Sequence, residues 1–202
     1  MIKKQIPIFI LITLAASTCH AEESPDAFFN RLTAAAIERT SHTVQYDGAY
    51  RQIDYPNGDV PDHIGVCTDV IIRAYRACGV DLQKRVHEDM RAAFNAYPTI
   101  WGLTRPDPNI DHRRVPNLQT FFRRQGAARP VSEDASAYRP GDLVTWMLPG
   151  NLPHIGIVID KTSAFASRPL VVHNIGSGPE MDDVLFEFPI TGHYRYKAGN
   201  GK

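Results

Sequence analysis

The pattern of hydrophobic and polar positions divides the chain into an N-terminal part with helical spacing and a C-terminal part with strand spacing. Ser24 followed by Pro25 is typical of a helix start and predicts a helix that runs to about Arg39. Over residues 66–78, apolar side chains recur at intervals of three and four, and Gly79 supplies the stop. Two further helices are predicted, from Asp81 to about Tyr97 and from Asn117 to Gln125.

From Arg139 onward, short apolar runs alternate with glycine, proline and serine, which is typical of strands and turns. Helices followed by strands indicate an α+β fold, in which the N-terminal helices pack on a C-terminal antiparallel sheet. The predicted strands are Leu143–Met147, His154–Asp160, Pro169–Asn174, Val184–Phe188 and Tyr194–Lys197.

Residues 1–21 have the layout of a secretory signal peptide. Lys3 and Lys4 precede an apolar run that is shorter than the ~20 residues of a membrane-spanning helix. Cleavage after Ala21 would release residues 22–202 as a single periplasmic or secreted domain with no integral membrane segment. Two alternatives stay open, a retained membrane anchor and a lipoprotein cleaved before Cys19.

The composition excludes several classes of protein. Lysine plus arginine equals aspartate plus glutamate, at 22 each, so the chain lacks the surplus positive charge on which non-specific nucleic-acid binding depends. No zinc-finger, Walker A or dinucleotide-binding motif is present, and no cofactor or metal is expected.

The two cysteines that follow the leader, Cys67 and Cys78, are not predicted to form a disulfide, although an exported protein would normally pair them. Both lie on one predicted helix, where eleven residues separate them by ~16 Å. A disulfide requires Cα atoms within ~7 Å. Cys67 lies in the first turn of the helix, where unpaired N–H groups and the helix dipole favour a thiolate.

Two histidines are predicted to face each other on neighbouring strands. If the hairpin is symmetric about residues 163 and 164, His154 lies directly opposite His173 on one face. Gly156 shares that face and would let a helix approach the sheet closely. Ile155, Ile157 and Ile159 then face the other way and fill a core.

These residues suit nucleophilic catalysis. Cys67 would be the nucleophile, His154 the base that takes its proton, and His173 the group that holds the His154 ring in the useful tautomer. The alternative is that both histidines are half-buried strand residues with a structural role.

The same residues resemble the NlpC-type papain-like cell-wall peptidases. The resemblance rests on the helix-opening cysteine, Pro-Gly-Asp at 140–142, His-Ile-Gly-Ile-Val from 154 and the histidine on the next strand. It implies catalytic roles for Cys67, His154 and His173, and an oxyanion role for Tyr55, twelve residues ahead of the cysteine. The chain departs from the family by reading Val-Cys-Thr-Asp where the family reads Asp-Cys-Ser-Gly.

Over residues 25–196 the chain is similar to domain-of-unknown-function family 1287, an exported bacterial family thought to belong to the same superfamily. The blocks that carry this resemblance are GVCTDVIIRAYRACGVDLQ, NIDHRRVPNL and HIGIVID with HNIG. It implies the papain-like fold and the nucleophile, and says less about the bond that is cleaved.

A polar cluster lies between the cysteine and the first histidine. Asp111, His112, Arg113 and Arg114 could line a cleft and bind a substrate carboxylate, which arginine binds with two parallel hydrogen bonds. The alternative is a structural loop of ion pairs.

We therefore expect an exported cysteine hydrolase that cleaves amide bonds in peptidoglycan peptides through a thioester. Its substrate would be peptidoglycan or a muropeptide. Two other functions stay open: a thioester-forming acyltransferase or amidase with a substrate outside the wall, and an inactive papain-like module that only binds wall fragments.

Overall fold

The computed structural model describes residues 24–199. The predicted signal peptide and Cys19 lie outside these residues. Within residues 24–199, no helix is long and apolar enough to cross a membrane.

Four α-helices lie between Pro25 and Arg124, in the N-terminal part of the described chain. The Ser24 side chain caps the first helix, where its oxygen accepts the N–H of Ala27 at 3.2 Å. The third helix ends five residues before the predicted end, because Ala93 leaves helical geometry and a 3₁₀ turn follows. The helices are α1 (Pro25–Arg39), α2 (Cys67–Ala77), α3 (Leu82–Ala92) and α4 (Val115–Arg124).

The C-terminal part forms a six-stranded antiparallel sheet, so the molecule has the expected α+β fold. Its strand order is β3-β8-β4-β5-β6-β7, and two short parallel strands, β1 and β2, form a separate pair. The strands are β1 (Gln45–Tyr46), β2 (Ile64–Gly65), β3 (Ala128–Arg129), β4 (Leu143–Leu148), β5 (Leu152–Thr162), β6 (Pro169–His173), β7 (Glu180–Asp182) and β8 (Ile190–Tyr194).

Two strand predictions are wrong. Residues 184–188 form a turn, and the strand of that region is β7, a few residues earlier. The apolar run there packs instead against the second face of the sheet, where Val184 and Leu185 are buried beside Trp146. The last strand is β8, which ends at Tyr194 where the sequence pattern predicted a start.

The predicted register of the β5–β6 hairpin is wrong by two residues. Ile157 pairs with Val172 and Val158 with Val171, and an irregularity between Val158 and Thr162 makes the hairpin asymmetric. Because side chains alternate with a period of two, a shift of two residues keeps each side chain on its predicted face. The two histidines, at 154 and 173, are therefore diagonal neighbours on one face.

The helices cover the opposite face of the sheet from the one predicted. Ile155, Ile157 and Ile159 are buried in one core with residues of α1, α2 and α4. Gly156 therefore makes no room for a helix. A Cβ there would lie 2.5 Å from Val171 Cγ1 and 3.2 Å from His173 Cβ, so this glycine gives space to strand β6.

Candidate functional site

The start of α2 is fixed by a buried carboxylate. Asp69 Oδ2 accepts the N–H of Val66 at 2.7 Å, which caps the helix just before Cys67. The same carboxylate also accepts hydrogen bonds from Nε and Nη2 of Arg113, both at 2.9 Å. The side chains of Asp69 and Arg113 are almost fully buried. A bidentate buried ion pair therefore ties the beginning of α2 to the 3₁₀ turn Asp111–Arg113.

The Cys67 thiol is buried, with 4% of the residue exposed. Burial, and to a smaller extent the charge of Asp69, raises the pKa of Cys67 to about 11, although the backbone N–H groups of Ile155, Thr68 and Cys67 itself act in the opposite direction. The expectation that the helix terminus makes this cysteine a thiolate is wrong for the resting site, because desolvation outweighs the helix end. No disulfide joins Cys67 to Cys78, which lies at the other end of α2.

The two histidine rings contact each other. His154 Nε2 and His173 Nδ1 are 2.9 Å apart, and each residue is 1% exposed. Burial, helped by the neighbouring His173, lowers the pKa of His154 to about 3, and burial also lowers the pKa of His173. Both imidazoles are therefore neutral near pH 7, and one ring donates its N–H to the other.

The thiol and the histidine pair lie on opposite faces of the sheet, both near the first residues of β5. His154 lies opposite Trp146, with ring centroids 5.8 Å apart, on the sheet face that the helices do not cover. Cys67 belongs to the helix-side core, and its sulfur lies at the N–H of Ile155, the residue after this histidine. The peptide group between His154 and Ile155 thus separates the sulfur from the His154 ring, and neither histidine lines the cleft into which Cys67 opens.

The aromatic hydroxyl beside the sulfur belongs to Tyr46 and not to Tyr55, the tyrosine that the family resemblance implies. Burial and the adjacent Cys67 thiol raise the pKa of Tyr46 to about 12. Strand β1 brings it there, because Tyr46 pairs with Gly65, two residues before the cysteine. Tyr55 lies elsewhere, with its ring 4.9 Å from that of His87 on α3. Only the pairing of two short strands indicates Tyr46, and no motif in the sequence marks that pairing.

Cys67 opens into a cleft of about 430 Å³. Its walls come from β1, the start of α2, the segment around Trp101, the start of α4 and the β4–β5 turn. The lining residues are Tyr46, Gly48, Val66, Cys67, Ile100, Trp101, Ile110, Arg113, Arg114, Val115, Pro116, Asn151 and Pro153.

The predicted polar cluster is divided between the interior and the cleft. Asp111 and His112 are buried, and burial lowers the pKa of His112 to about 3. Arg113 reaches the cleft wall but is bound to Asp69. Arg114 alone is partly open, stacked 4.1 Å above the ring of Trp101. Within the described residues, no cluster of three or more histidine, cysteine, aspartate or glutamate side chains could hold a metal.

Two comparisons with known proteins span this site. A family model described as "Domain of unknown function (DUF1287)" matches residues 33–196. The "Uncharacterized protein YijF" of Escherichia coli (strain K12) is 49% identical over 197 residues, which cover 93% of this chain and 96% of that protein. The family match contains the thiol, both histidines and the arginine-lined cleft.

Proposed function

Because the chain belongs to the DUF1287 family, whose description assigns no activity, we propose a function from the cleft: an exported cysteine hydrolase that cleaves amide bonds in peptidoglycan peptides. The observation that carries the proposal is a helix-start thiol at an open cleft, one peptide group from a hydrogen-bonded pair of neutral histidines. The predicted leader supports export, and the arginines of the cleft suit the carboxylates of wall peptides.

In the first half-reaction, the Cys67 sulfur attacks the amide carbonyl and its proton passes to Nδ1 of His154. The carbon–nitrogen bond then breaks, the amine leaves with that proton, and a thioester remains on the cysteine. The backbone N–H of Cys67 and the hydroxyl of Tyr46 donate hydrogen bonds to the oxyanion.

In the second half-reaction, Nδ1 of His154 takes a proton from water, and the hydroxide attacks the thioester. The carbon–sulfur bond breaks, the carboxylic acid leaves, and the sulfur recovers the proton. His154 serves as a base only if its Nε2 carries a hydrogen, which it donates to Nδ1 of His173. His173 is therefore a positioning residue that holds the base in this tautomer.

Burial keeps the thiol protonated and His154 neutral, so proton transfer accompanies the attack instead of preceding it. The mechanism requires His154 Nδ1 to reach the sulfur around the start of β5, where Pro153 lines the cleft. Substrate seated in the cleft excludes water, which strengthens the hydrogen bonds to the oxyanion.

The direct test incubates purified sacculi with three forms of residues 22–202: the parent, Cys67→Ala and Cys78→Ala. Released fragments are identified by mass spectrometry. We expect new amide cleavage from the parent and from Cys78→Ala, and none from Cys67→Ala, because only Cys67 opens into the cleft. Cleavage that survives Cys67→Ala would overturn the nucleophile assignment.

The same experiment separates the other two functions. Transfer of an acyl group to an added amine, with loss of that transfer in Cys67→Ala, would favour an acyltransferase. Binding of wall fragments by both parent and Cys67→Ala, without any turnover, would favour a binding module.

A further inference from the structure

The charged residues that line the Cys67 cleft within the described chain are two arginines, Arg113 and Arg114, and no aspartate or glutamate lines it. Each arginine is paired with a buried carboxylate behind the cleft wall, Arg113 with Asp69 and Arg114 with Asp111, so the charged groups that face the cleft are guanidiniums. A substrate that places an anionic group there gains electrostatic energy, provided that an arginine has hydrogen-bond donors to spare.

Arg113 has few donors to spare. Its Nε and Nη2 hold the Asp69 carboxylate, Nη2 also reaches the carbonyl oxygen of Asp47 at 3.2 Å, and Nη1 reaches that of Ala49 at 3.4 Å. These contacts fasten α2 and β1 to the turn before α4. Arg113 is therefore a structural residue of the cleft wall.

Arg114 is held in place but keeps donors open. Its Nη1 binds Asp111 at 3.1 Å, and its guanidinium lies over the ring of Trp101. Within residues 24–199, its Nε and Nη2 have no protein partner, and 17% of the side chain is exposed. Asp111, itself 1% exposed, lies behind the guanidinium and orients it. A planar group held on two sides presents its remaining N–H groups in a fixed direction.

We propose that Arg114 is the substrate-recognition residue of this cleft and binds a free carboxylate of the peptide whose amide bond lies at Cys67. This inference rests on the proposed function and narrows its substrate class to amides flanked by a carboxylate. Trp101 and Asp111 are positioning residues, because they fix the guanidinium without contacting the carboxylate.

The apolar wall, and not the arginine edge, favours a carboxylate over a phosphate. One arginine edge offers two coplanar N–H groups, which a carboxylate or a phosphate can accept. The remainder of the wall near Arg114 is apolar, with Ile100, Val115 and Pro116. A peptide that carries one carboxylate on an otherwise uncharged backbone fits such a wall.

The test measures binding, so that it does not depend on catalysis. In the Cys67→Ala background, isothermal titration compares the tetrapeptide stem of peptidoglycan with the same peptide whose carboxylates are converted to methylamides. We expect the carboxylate form to bind about tenfold to a hundredfold more tightly, as is typical of charge-assisted hydrogen bonds.

Three variants locate that preference. Arg114→Gln should reduce the ratio of the two dissociation constants to about one. Arg114→Lys should keep part of this ratio, because lysine retains the positive charge but lacks the two parallel N–H groups of arginine. Arg105→Gln, at an exposed arginine outside this cleft, should leave the ratio unchanged. The melting temperature of each variant shows that it is folded.

A carboxylate preference that persists in Arg114→Gln would overturn the inference, as would binding of inorganic phosphate that depends on Arg114 and exceeds that of the peptide. The hydrolase proposal fails separately. If sacculi are not cleaved but the preference for the carboxylate peptide depends on Arg114, the carboxylate site is supported and the proposed hydrolysis is contradicted.

Discussion

At the scale of single residues, the thiol of Cys67 decides how the site responds to pH. Burial raises its pKa to about 11, so the reactive thiolate becomes abundant only in alkaline solution. We predict that alkylation of Cys67 by iodoacetamide rises with pH to a midpoint above the ~8.5 of an ordinary cysteine. The measurement is the labelling rate of the peptide that contains Cys67, by mass spectrometry from pH 6 to 11, and a midpoint below 8 would contradict the buried thiol.

A second prediction compares two tyrosines. Tyr46 lies at the sulfur and Tyr55 lies against α3, so only Tyr46 can donate a hydrogen bond to the oxyanion of the proposed reaction. Tyr46→Phe should lower kcat about a hundredfold, which is typical for the loss of one oxyanion donor, with little change in KM. Tyr55→Phe is the matched control and should retain the parent kcat. The reverse result would restore the role that the family resemblance implied for Tyr55.

The residues of the site differ in how far the sequence predicts them. Cys67 was identifiable because a cysteine in a first helix turn has a local pattern, and the histidines because alternation along a strand fixes their common face. Tyr46 was not identifiable, because it reaches the sulfur through the pairing of β1 with β2. Each of these strands has only two residues, too few to show a periodic sequence pattern. The pKa of Cys67 depends on how completely the folded protein buries the thiol, and no local sequence pattern predicts that burial.

At the scale of elements, the β5–β6 hairpin depends on Gly156. A Cβ at this position would lie 2.5 Å from Val171 Cγ1 and 3.1 Å from the carbonyl oxygen of Val172. Gly156→Ala should therefore destabilise the protein by about 1–3 kcal/mol, the usual cost of overpacking, and displace His173 from His154. Denaturant unfolding measures the first effect, and the imidazole NMR signals measure the second.

Gly48→Ala is the control for that variant. Its added Cβ would lie 3.5 Å from Val66 Cγ1, an ordinary van der Waals contact. The free energy of unfolding should therefore change much less than in Gly156→Ala. Equal losses in the two variants would mean that the close approach of β6 does not determine the effect.

The order of helices and strands was predictable, but the layering was not. Strand periodicity predicts that Ile155, Ile157 and Ile159 share one face of the sheet, but it does not predict which face the helices cover. The structure puts these isoleucines under the helices, because the other face has its own small core around Trp146, Val184 and Leu185. The apolar run at 184–188 predicts a strand but forms a turn, because a buried turn and a buried strand have equally apolar sequences.

At the scale of the whole molecule, several polar groups are buried in neutral form, which makes folding sensitive to acid. Burial lowers the pKa of both His112 and His154 to about 3, whereas the unfolded value is ~6.5. Below pH 6.5 the unfolded chain binds protons that the folded chain does not. The stability from these two histidines is therefore complete above pH 6.5 and is lost as the pH falls.

The last prediction isolates one of these histidines. Between pH 7 and pH 5, a buried neutral histidine should cost about 2 kcal/mol of unfolding free energy, since each pKa unit corresponds to ~1.4 kcal/mol. His112→Gln removes one such group, so the fall in stability over this interval should be smaller by about that amount, whatever its effect at pH 7. Urea unfolding at pH 7, 6 and 5 measures how the unfolding free energy of the parent and of His112→Gln changes with pH. An equal change in the two proteins would show that the His112 imidazole is protonated in the folded protein.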